Sequence, residues 1–226
     1  NAYAHLMAEM GWAEFAMNFS ELEMFRYLND KPRETLDAMI AAGVNAPLAS
    51  SCGRLFDAAA AILGLARDQQ SYEGHAAMLL EAAIDPKAME EGEDLAYPFS
   101  IPLMGGQGLP YVEPVAVWRA MLGDLILETP IGVIAARFHR GLARVIIAMV
   151  DRLMGDERVY HAVALSGGCF QNKTLFELVH TGLEARGHKV LSHREVPAND
   201  GGIALGQAAI AAANYLKHKK GSAPCA

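Results

Sequence analysis

Apolar residues recur at helical spacing through most of this chain. Leu6, Met7, Met10, Phe15, Leu22, Phe25 and Leu28 predict one or two helices over residues 3–28. Ser20 followed by Glu23 has the form of a capping box and places a break near 18–20. A further helix is expected from Pro32 to Ala42, with Pro32 near its first turn and Gly43 past its end. Asn45 to Gly53 reads as a loop, Leu55 to Leu63 as a short apolar helix stopped by Gly64, and Ser71 to Ala83 as a helix closed by Asp85-Pro86. Residues 86–113, with Gly105-Gly106, Gly108 and several prolines, are expected to be irregular, as a linker or surface excursion. The clearest element is a long helix over 130–154. Its stripe is Ile131, Ile134, Phe138, Leu142, Val145, Met149 and Leu153, with Arg137, Arg140, Arg144 and Asp151 largely off it.

Beyond residue 155 the period shortens. His161–Leu165 reads as a buried strand, Asn172–Ala185 as a helix ended by Gly187, Lys189–His193 as a strand, and Gly202–Lys217 as an Ala-rich helix. Strand, helix, strand, helix at this spacing predicts an α/β layer. The first strand stops at Ser166-Gly167-Gly168. Paired glycines let backbone approach a ligand closely, and amides beside a helix N-terminus favour negative charge. That junction is a candidate seat for a phosphate or carboxylate, with a plain tight turn as the alternative.

Composition narrows the classes. Hydrophobic residues make up 52% of the 226 and charged residues 20%, which excludes a disordered chain. A net charge of −7 argues against a dedicated nucleic-acid binder but leaves room for a nucleotide. Cys52, Cys169 and Cys225 are scattered and odd in number, so neither a disulfide framework nor a paired-cysteine metal knuckle is expected, and a reducing cytoplasm is. No apolar run is long enough to span a bilayer, so no membrane partner is expected. Because the chain opens at Asn1 in helix-like sequence, it is expected to be a piece of something longer.

Four segments carry more specific chemistry. They are Ser50-Ser51-Cys52-Gly53-Arg54-Leu55-Phe56-Asp57, Tyr72-Glu73-Gly74-His75-Ala76-Ala77, Leu165–Asn172, and Val196 to Gln207 with its Asn199-Asp200-Gly201-Gly202-Ile203 core. In this order they closely resemble the C-terminal part of the HypF family of hydrogenase maturation factors, over roughly residues 1–217. The resemblance implies an α/β fold: the C-terminal lobe of an actin/Hsp70/sugar-kinase-like domain with a helical N-terminal section. It implies a single carbamoyltransferase domain: a helical section over 1–48, nucleotide-side helices and an irregular segment over 49–113, and the α/β lobe with its Ser-Gly-Gly loop over 114–226. The activity it implies begins with carbamoyl-adenylate, made from carbamoyl phosphate and ATP. The carbamoyl group then passes to the C-terminal cysteine thiol of a HypE-like partner, for the cyanide ligands of [NiFe] hydrogenase.

The same resemblance assigns site residues. Ser166, Gly167 and Gly168 would face nucleotide phosphate, with Asn172 pointing back at the same ligand. Asp57 would take the ribose hydroxyls and Gly74 would let the nucleoside lie against backbone, with Arg54 and Glu73 as neighbours. Asp200 would ligate a divalent metal, iron or zinc. The family completes that site with two histidines at i, i+4 on one helix. None of His5, His75, His139, His161, His180, His188, His193 and His218 forms such a pair, so Asp200 is expected to be half of a site and the chain inactive alone.

Plainer readings stand beside these. Asp57 could be a solvated helix residue, Asp200 a turn residue or helix cap, and Arg54 the partner of a surface acid. Cys169 reads as a small packing residue, because no base can be assigned to it. The histidines read as structural or exposed. The Met-rich N-terminal helices read as core or interface with an exposed apolar patch. No residue stands out as a covalent nucleophile or general base. The rival functions are a phosphotransferase of the same fold and a non-catalytic docking or dimerisation module.

Overall fold

The structure is a computed structural model that describes residues 1–90, 95–155 and 160–221, with the backbone alone over 218–221. Cys225 and the side chain of His218 lie outside the described residues. The N-terminal section holds α1 (Ala2–Glu9), α2 (Gly11–Phe19), α3 (Glu23–Asn29) and α4 (Arg33–Ala42). Residues 3–28 thus make three helices rather than one or two. The extra break comes at Gly11, whose φ of 69° is left-handed and cannot continue a right-handed helix. The break near 18–20 forms, but the capping box does not. Leu22 precedes α3, no side chain caps it, and Glu23 is itself the first helical residue. Gly43 closes α4 at φ 66°, as its position past the last apolar residue predicts.

One core runs from Ala2 to Leu183. It is built by α1 packed on α5 (Cys52–Ile62) and α7 (Val115–Ile126), with α6 (His75–Ala82) against α5. Leu6, Phe15, Trp118 and Phe138 are all fully buried. Ala58, Ala59 and Ala60 are also fully buried, and such small residues let α5 approach its neighbours closely. The helix α7 carries no expectation from sequence. The helix expected from Ser71 starts only at His75, because Gly74 is left-handed at φ 82°.

The long helix α8 (Ile131–Gly155) is buried on more than its stripe. Ala135, Ala136, His139, Arg140, Gly141 and Ala143 are buried beside Ile134, Phe138, Leu142 and Val145. Arg140 therefore corrects the reading that it lies off the buried face; its guanidinium donates to the Ala88 carbonyl at 3.4 Å. The cause is the segment expected to be a linker or excursion, which docks on α8. Asp85 N donates to Gly132 O at 3.1 Å and Tyr97 N to Arg137 O at 3.2 Å, and Tyr97 is buried. Antiparallel bridges Ser100–Glu113 and Leu103–Pro110 fold that segment back on itself. Arg137 Nη1 donates to both carboxylate oxygens of Asp124 at 2.8 and 2.7 Å, which offsets burial of both charges.

The C-terminal part holds β1 (Val163–Leu165), α9 (Lys173–Ala185), β2 (Val190–Ser192) and α10 (Ile203–Gly221). The strands pair in parallel, Val163 with Val190 and Leu165 with Ser192. They are shorter than expected, and of β1 only Leu165 is buried, so the reading of 161–165 as a buried strand is corrected. Two strands cannot cover each other's faces, which leaves Ala164 and Leu191 exposed. On the other side α9 packs along α8, with Gly182 against Ile147. Exposed large apolar residues gather on α10, at Ile203, Leu205, Ile210, Tyr215 and Leu216. No described helix is long and apolar enough to cross a membrane.

Candidate functional site

A cavity of about 690 Å³ opens where α5, the N-terminus of α6, the Ser-Gly-Gly loop and the turn before α10 meet. It is lined by Arg54, Asp57, Glu73, Gly74, Gly168, Asn172 and Asp200, among others. These predicted site residues come from segments far apart in sequence, and the fold gathers them around one space. Ser166 and Gly167 do not line it. Gly167 holds the turn instead, at φ 104° with its N–H donated to Ala198 O at 2.8 Å. The Ser166 hydroxyl lies 3.0 Å from His193 Nε2.

Asp57 is the buried acid of this wall. Helix α5 begins at Ser51, whose Oγ accepts from Arg54 N at 3.4 Å, and the first turns bring Arg54 and Asp57 to one face. Asp57 is only 5% exposed, which excludes the solvated reading. Its Oδ2 lies 3.0 Å from Arg54 Nη1, so Arg54 pairs with this buried acid and not with a surface one. Neither carboxylate oxygen makes a well-directed hydrogen bond. A buried carboxylate is costly unless its lone pairs are used, and here the Arg54 ion pair is what offsets that cost.

The glycines suit a ligand that lies on backbone. A Cβ added at Gly74 would meet nothing within 4 Å, and one at Gly168 would meet only Asn199 Cβ at 3.9 Å. In the short 3-10 turn over Gly168–Gln171, the first N–H groups, Gly168 and Cys169, make no hydrogen bond among the described residues. Unpaired amides at the start of such a turn are donors for an anion. The true N-terminus of α9 is already occupied. Asn172 Oδ1 accepts from Leu175 N at 2.8 Å, and Glu81 Oε1 accepts from Thr174 N at 2.8 Å. The free N–H groups therefore lie at the glycine turn, one step before α9.

Asn172 has its own commitments. Besides capping α9, its Nδ2 donates to His139 Nε2 at 2.9 Å. The other His139 nitrogen, Nδ1, lies 2.8 Å from the Ala135 carbonyl and must donate to it. This fixes a neutral imidazole and the amide orientation together. Sequence reasoning grouped His139 with the structural histidines but missed its link to the site. The helical spacing places it next to Phe138, and only the crossing of α8 and α9 reveals its partner. Burial holds the His139 pKa below the usual imidazole value, partly opposed by the Ala135 carbonyl and the Glu81 charge.

That lowered pKa predicts acid sensitivity. The unfolded chain takes up the proton first as pH falls below about 6.5, so stability is lost from there downward. The slope due to this one group is at most about 1.4 kcal/mol per pH unit. Melting temperatures measured from pH 7 to pH 5 are expected to fall less in His139→Gln, whose amide does not titrate. Identical slopes would remove His139 as the cause.

Asp200 is exposed, opens a 3-10 turn (Asp200–Gly202), and reaches the cavity wall. It is not the cap of the turn; Asn199 Oδ1 accepts from Gly201 N at 3.0 Å. No group of three or more His, Cys, Asp or Glu able to hold a metal occurs among the described residues. The residues here therefore do not form a metal site by themselves, and Asp200 offers a single carboxylate.

Cys169 lines this wall, whereas Cys52 lies behind it, outside the cavity lining. Cys52 is the first residue of α5, Cys169 lies in the glycine turn, and these two elements pack together. The neighbouring Cys52 thiol and Arg54 hold the Cys169 pKa down to about 7, against burial, while Cys169 and burial raise that of Cys52.

Known proteins are similar to this chain in sequence and fold. Residues 1–207 match the family described as carbamoyltransferase, Kae1-like domain, second subdomain. Carbamoyltransferase HypF of Rhodobacter capsulatus is 40% identical over 183 residues, covering 80% of this chain and 22% of the relative. Carbamoyltransferase HypF of Synechocystis is 35% identical over 210 residues, covering 91% of this chain and 25% of the relative. The crystal structure of full-length HypF in the phosphate- and nucleotide-bound form superposes with a TM-score of 0.76 at 30% identity, over 93% of this chain and 25% of that one. The chain thus spans about a quarter of the length of the relatives it matches.

Proposed function

The chain belongs to the HypF carbamoyltransferase family, as the second subdomain of its Kae1-like domain, and from that premise we propose that its cavity is part of a carbamoyl-adenylate site. The reading is supported by one convergence above all. A buried carboxylate paired only with Arg54, an open glycine backbone and unpaired turn amides line the same space. Asp57 accepts the ribose hydroxyls. Gly74 lets the nucleoside lie on backbone, beside Glu73. The Gly168 and Cys169 amides receive the adenylate phosphate, and Arg54 adds positive charge between that phosphate and Asp57. Asn172 acts by capping α9 and holding the turn, and Ser166 and Gly167 shape the turn from behind.

In the transfer step, the thiolate of a C-terminal cysteine on a HypE-like partner attacks the carbamoyl carbon. A carbon–sulfur bond forms and the carbon–oxygen bond to phosphate breaks. AMP leaves with the bonding pair, and the thiol proton has already gone to solvent. This chain's residues contribute positioning and electrostatics: the turn amides offset charge that grows on the departing phosphate. No described side chain is placed as covalent nucleophile for the carbamoyl group. The metal implied by the family enters no step here, because Asp200 alone does not hold one.

The test is a titration of the chain with AMP followed by amide NMR, which reads affinities into the millimolar range. Shifts are expected at Gly74, Gly168 and Cys169. Shifts confined to other parts of the surface, or none at saturating AMP, would overturn the nucleotide reading.

A further inference from the structure

We propose that Glu81 is a positioning residue for the nucleotide, joining two walls of the cavity by a bond from α6 to the start of α9. This rests on the nucleotide reading above and adds what holds that site in shape. Gly74, Ala77, Met78 and Glu81 all line the cavity. They stand at i, i+3, i+4 and i+7, so they form one face of α6 together with its N-cap. The back of α6 is fixed in the core by buried Ala76 and Leu80. The Glu81 carboxylate crosses to the other wall, where its Oε1 accepts from Thr174 N at 2.8 Å. Thr174 N is one of the N–H groups that a helix leaves unpaired in its first turn. The next one, Leu175 N, is taken by Asn172 Oδ1 from within the same segment. Glu81 supplies the other cap from 93 residues away.

The bond is part-buried, it is charge-assisted, and it sets a negative group at a helix N-terminus, all of which strengthen it. It anchors one end of the cavity face of α6 to the helix that follows the glycine turn. Gly74 lies at the other end of that face, two helical turns or about 10 Å away. So short a helix moves as a unit, and loosening it at Glu81 shifts Gly74 relative to the Gly168 and Cys169 amides. A nucleoside on Gly74 and a phosphate on those amides belong to one molecule, so the spacing of the two walls must be set before it binds. A carboxylate repels a phosphate, so Glu81 serves the phosphate through α9 and not by contact.

The experiment compares the full chain with Glu81→Ala, Glu81→Gln and Val179→Ala by amide NMR, first free and then titrated with AMP. The Gln side-chain carbonyl still accepts from Thr174 N, without the charge. Val179 is fully buried on α9 and outside the cavity lining, so Val179→Ala reports plain destabilisation of that helix. In Glu81→Ala the Thr174 N–H is expected to exchange about tenfold faster, the Gly74 and Gly168 resonances of the free chain to move, and AMP affinity to fall about tenfold. Glu81→Gln is expected to stay within about threefold of the unaltered chain in exchange and affinity, and Val179→Ala within about twofold in affinity. Unmoved Gly74 and Gly168 resonances in Glu81→Ala, or an equal loss of affinity in Glu81→Gln or Val179→Ala, would overturn the positioning role. The free-chain resonances and the Thr174 exchange need no AMP. An unaltered chain that does not bind AMP therefore sinks the nucleotide reading, while those two signals still decide whether Glu81 joins the walls.

Discussion

Asp57→Ala is expected to weaken AMP binding about a hundredfold while leaving the melting temperature unchanged or raised. The affinity loss follows from two hydrogen bonds between a carboxylate and ribose hydroxyls, each worth roughly 1.5–3 kcal/mol when one partner is charged. The retained stability follows from the geometry of the free chain. Asp57 is 5% exposed, and neither oxygen is satisfied by a well-directed hydrogen bond. The Arg54 side chain is 43% exposed, so its guanidinium rehydrates once its partner is gone. Removing a buried, poorly satisfied charge relieves a cost, so binding and stability should separate, as they do at sites held ready for a ligand. Asp57→Asn is the companion: it keeps the shape, loses the charge, and should fall between the two. Calorimetry or NMR titration reads the affinity and a thermal melt reads the stability. A variant that loses affinity only in proportion to unfolding would show that Asp57 is structural.

The second large effect lies beneath the site. Gly141→Val is expected to cost at least about 3 kcal/mol, a drop of roughly 6–12 °C in melting temperature for a chain of this size. A Cβ at Gly141 would collide with the backbone carbonyl of Tyr97. It would also sit 3.0 Å from Tyr97 N and 3.2 Å from Phe99 Cε2. Backbone cannot rotate aside as a long side chain can, and Tyr97 N is already tied to Arg137 O. The docked segment or α8 itself would have to move, and α8 carries Phe138 and His139 against Phe56, next to Asp57. Gly123→Ala is the control. It lies within α7 with nothing within 4 Å of the added Cβ, so helix propensity alone should stabilise it by about 0.5–1 kcal/mol. If Gly141→Val melted with Gly123→Ala, the close approach of the 95–113 segment to α8 would be wrong.

Much of the local order was legible from the residues in line. The Arg33–Ala42, Cys52–Ile62, Ile131–Gly155 and Lys173–Ala185 helices fall where apolar spacing and a following glycine put them, within a few residues. Those signals are carried by neighbours three and four positions apart, so the chain itself reports them. The four segments that resemble the HypF family also place seven of the nine nominated residues on one cavity. Errors came where a partner lies elsewhere. The Ser20–Glu23 spacing fits a capping box, but packing of Met24 and Leu28 into the core starts α3 at Glu23 and leaves that box no turn to cap. The segment rich in glycine and proline looked like a linker, yet it is held by backbone hydrogen bonds to α8 that no local pattern encodes.

Taken alone, then, the sequence determined the helix and strand periods, the left-handed turns at glycines such as Gly43, and the family through motifs whose order survives in one dimension. The tertiary structure alone decided which side chains answer one another. It buried Arg140 and Asp57, joined His139 to Asn172 across α8 and α9, and closed the α9 terminus with Glu81. The physical reason is range. Backbone hydrogen bonds and helical periodicity act over a few residues, whereas burial, ion pairing and side-chain hydrogen bonding depend on distances that exist only after the helices have crossed.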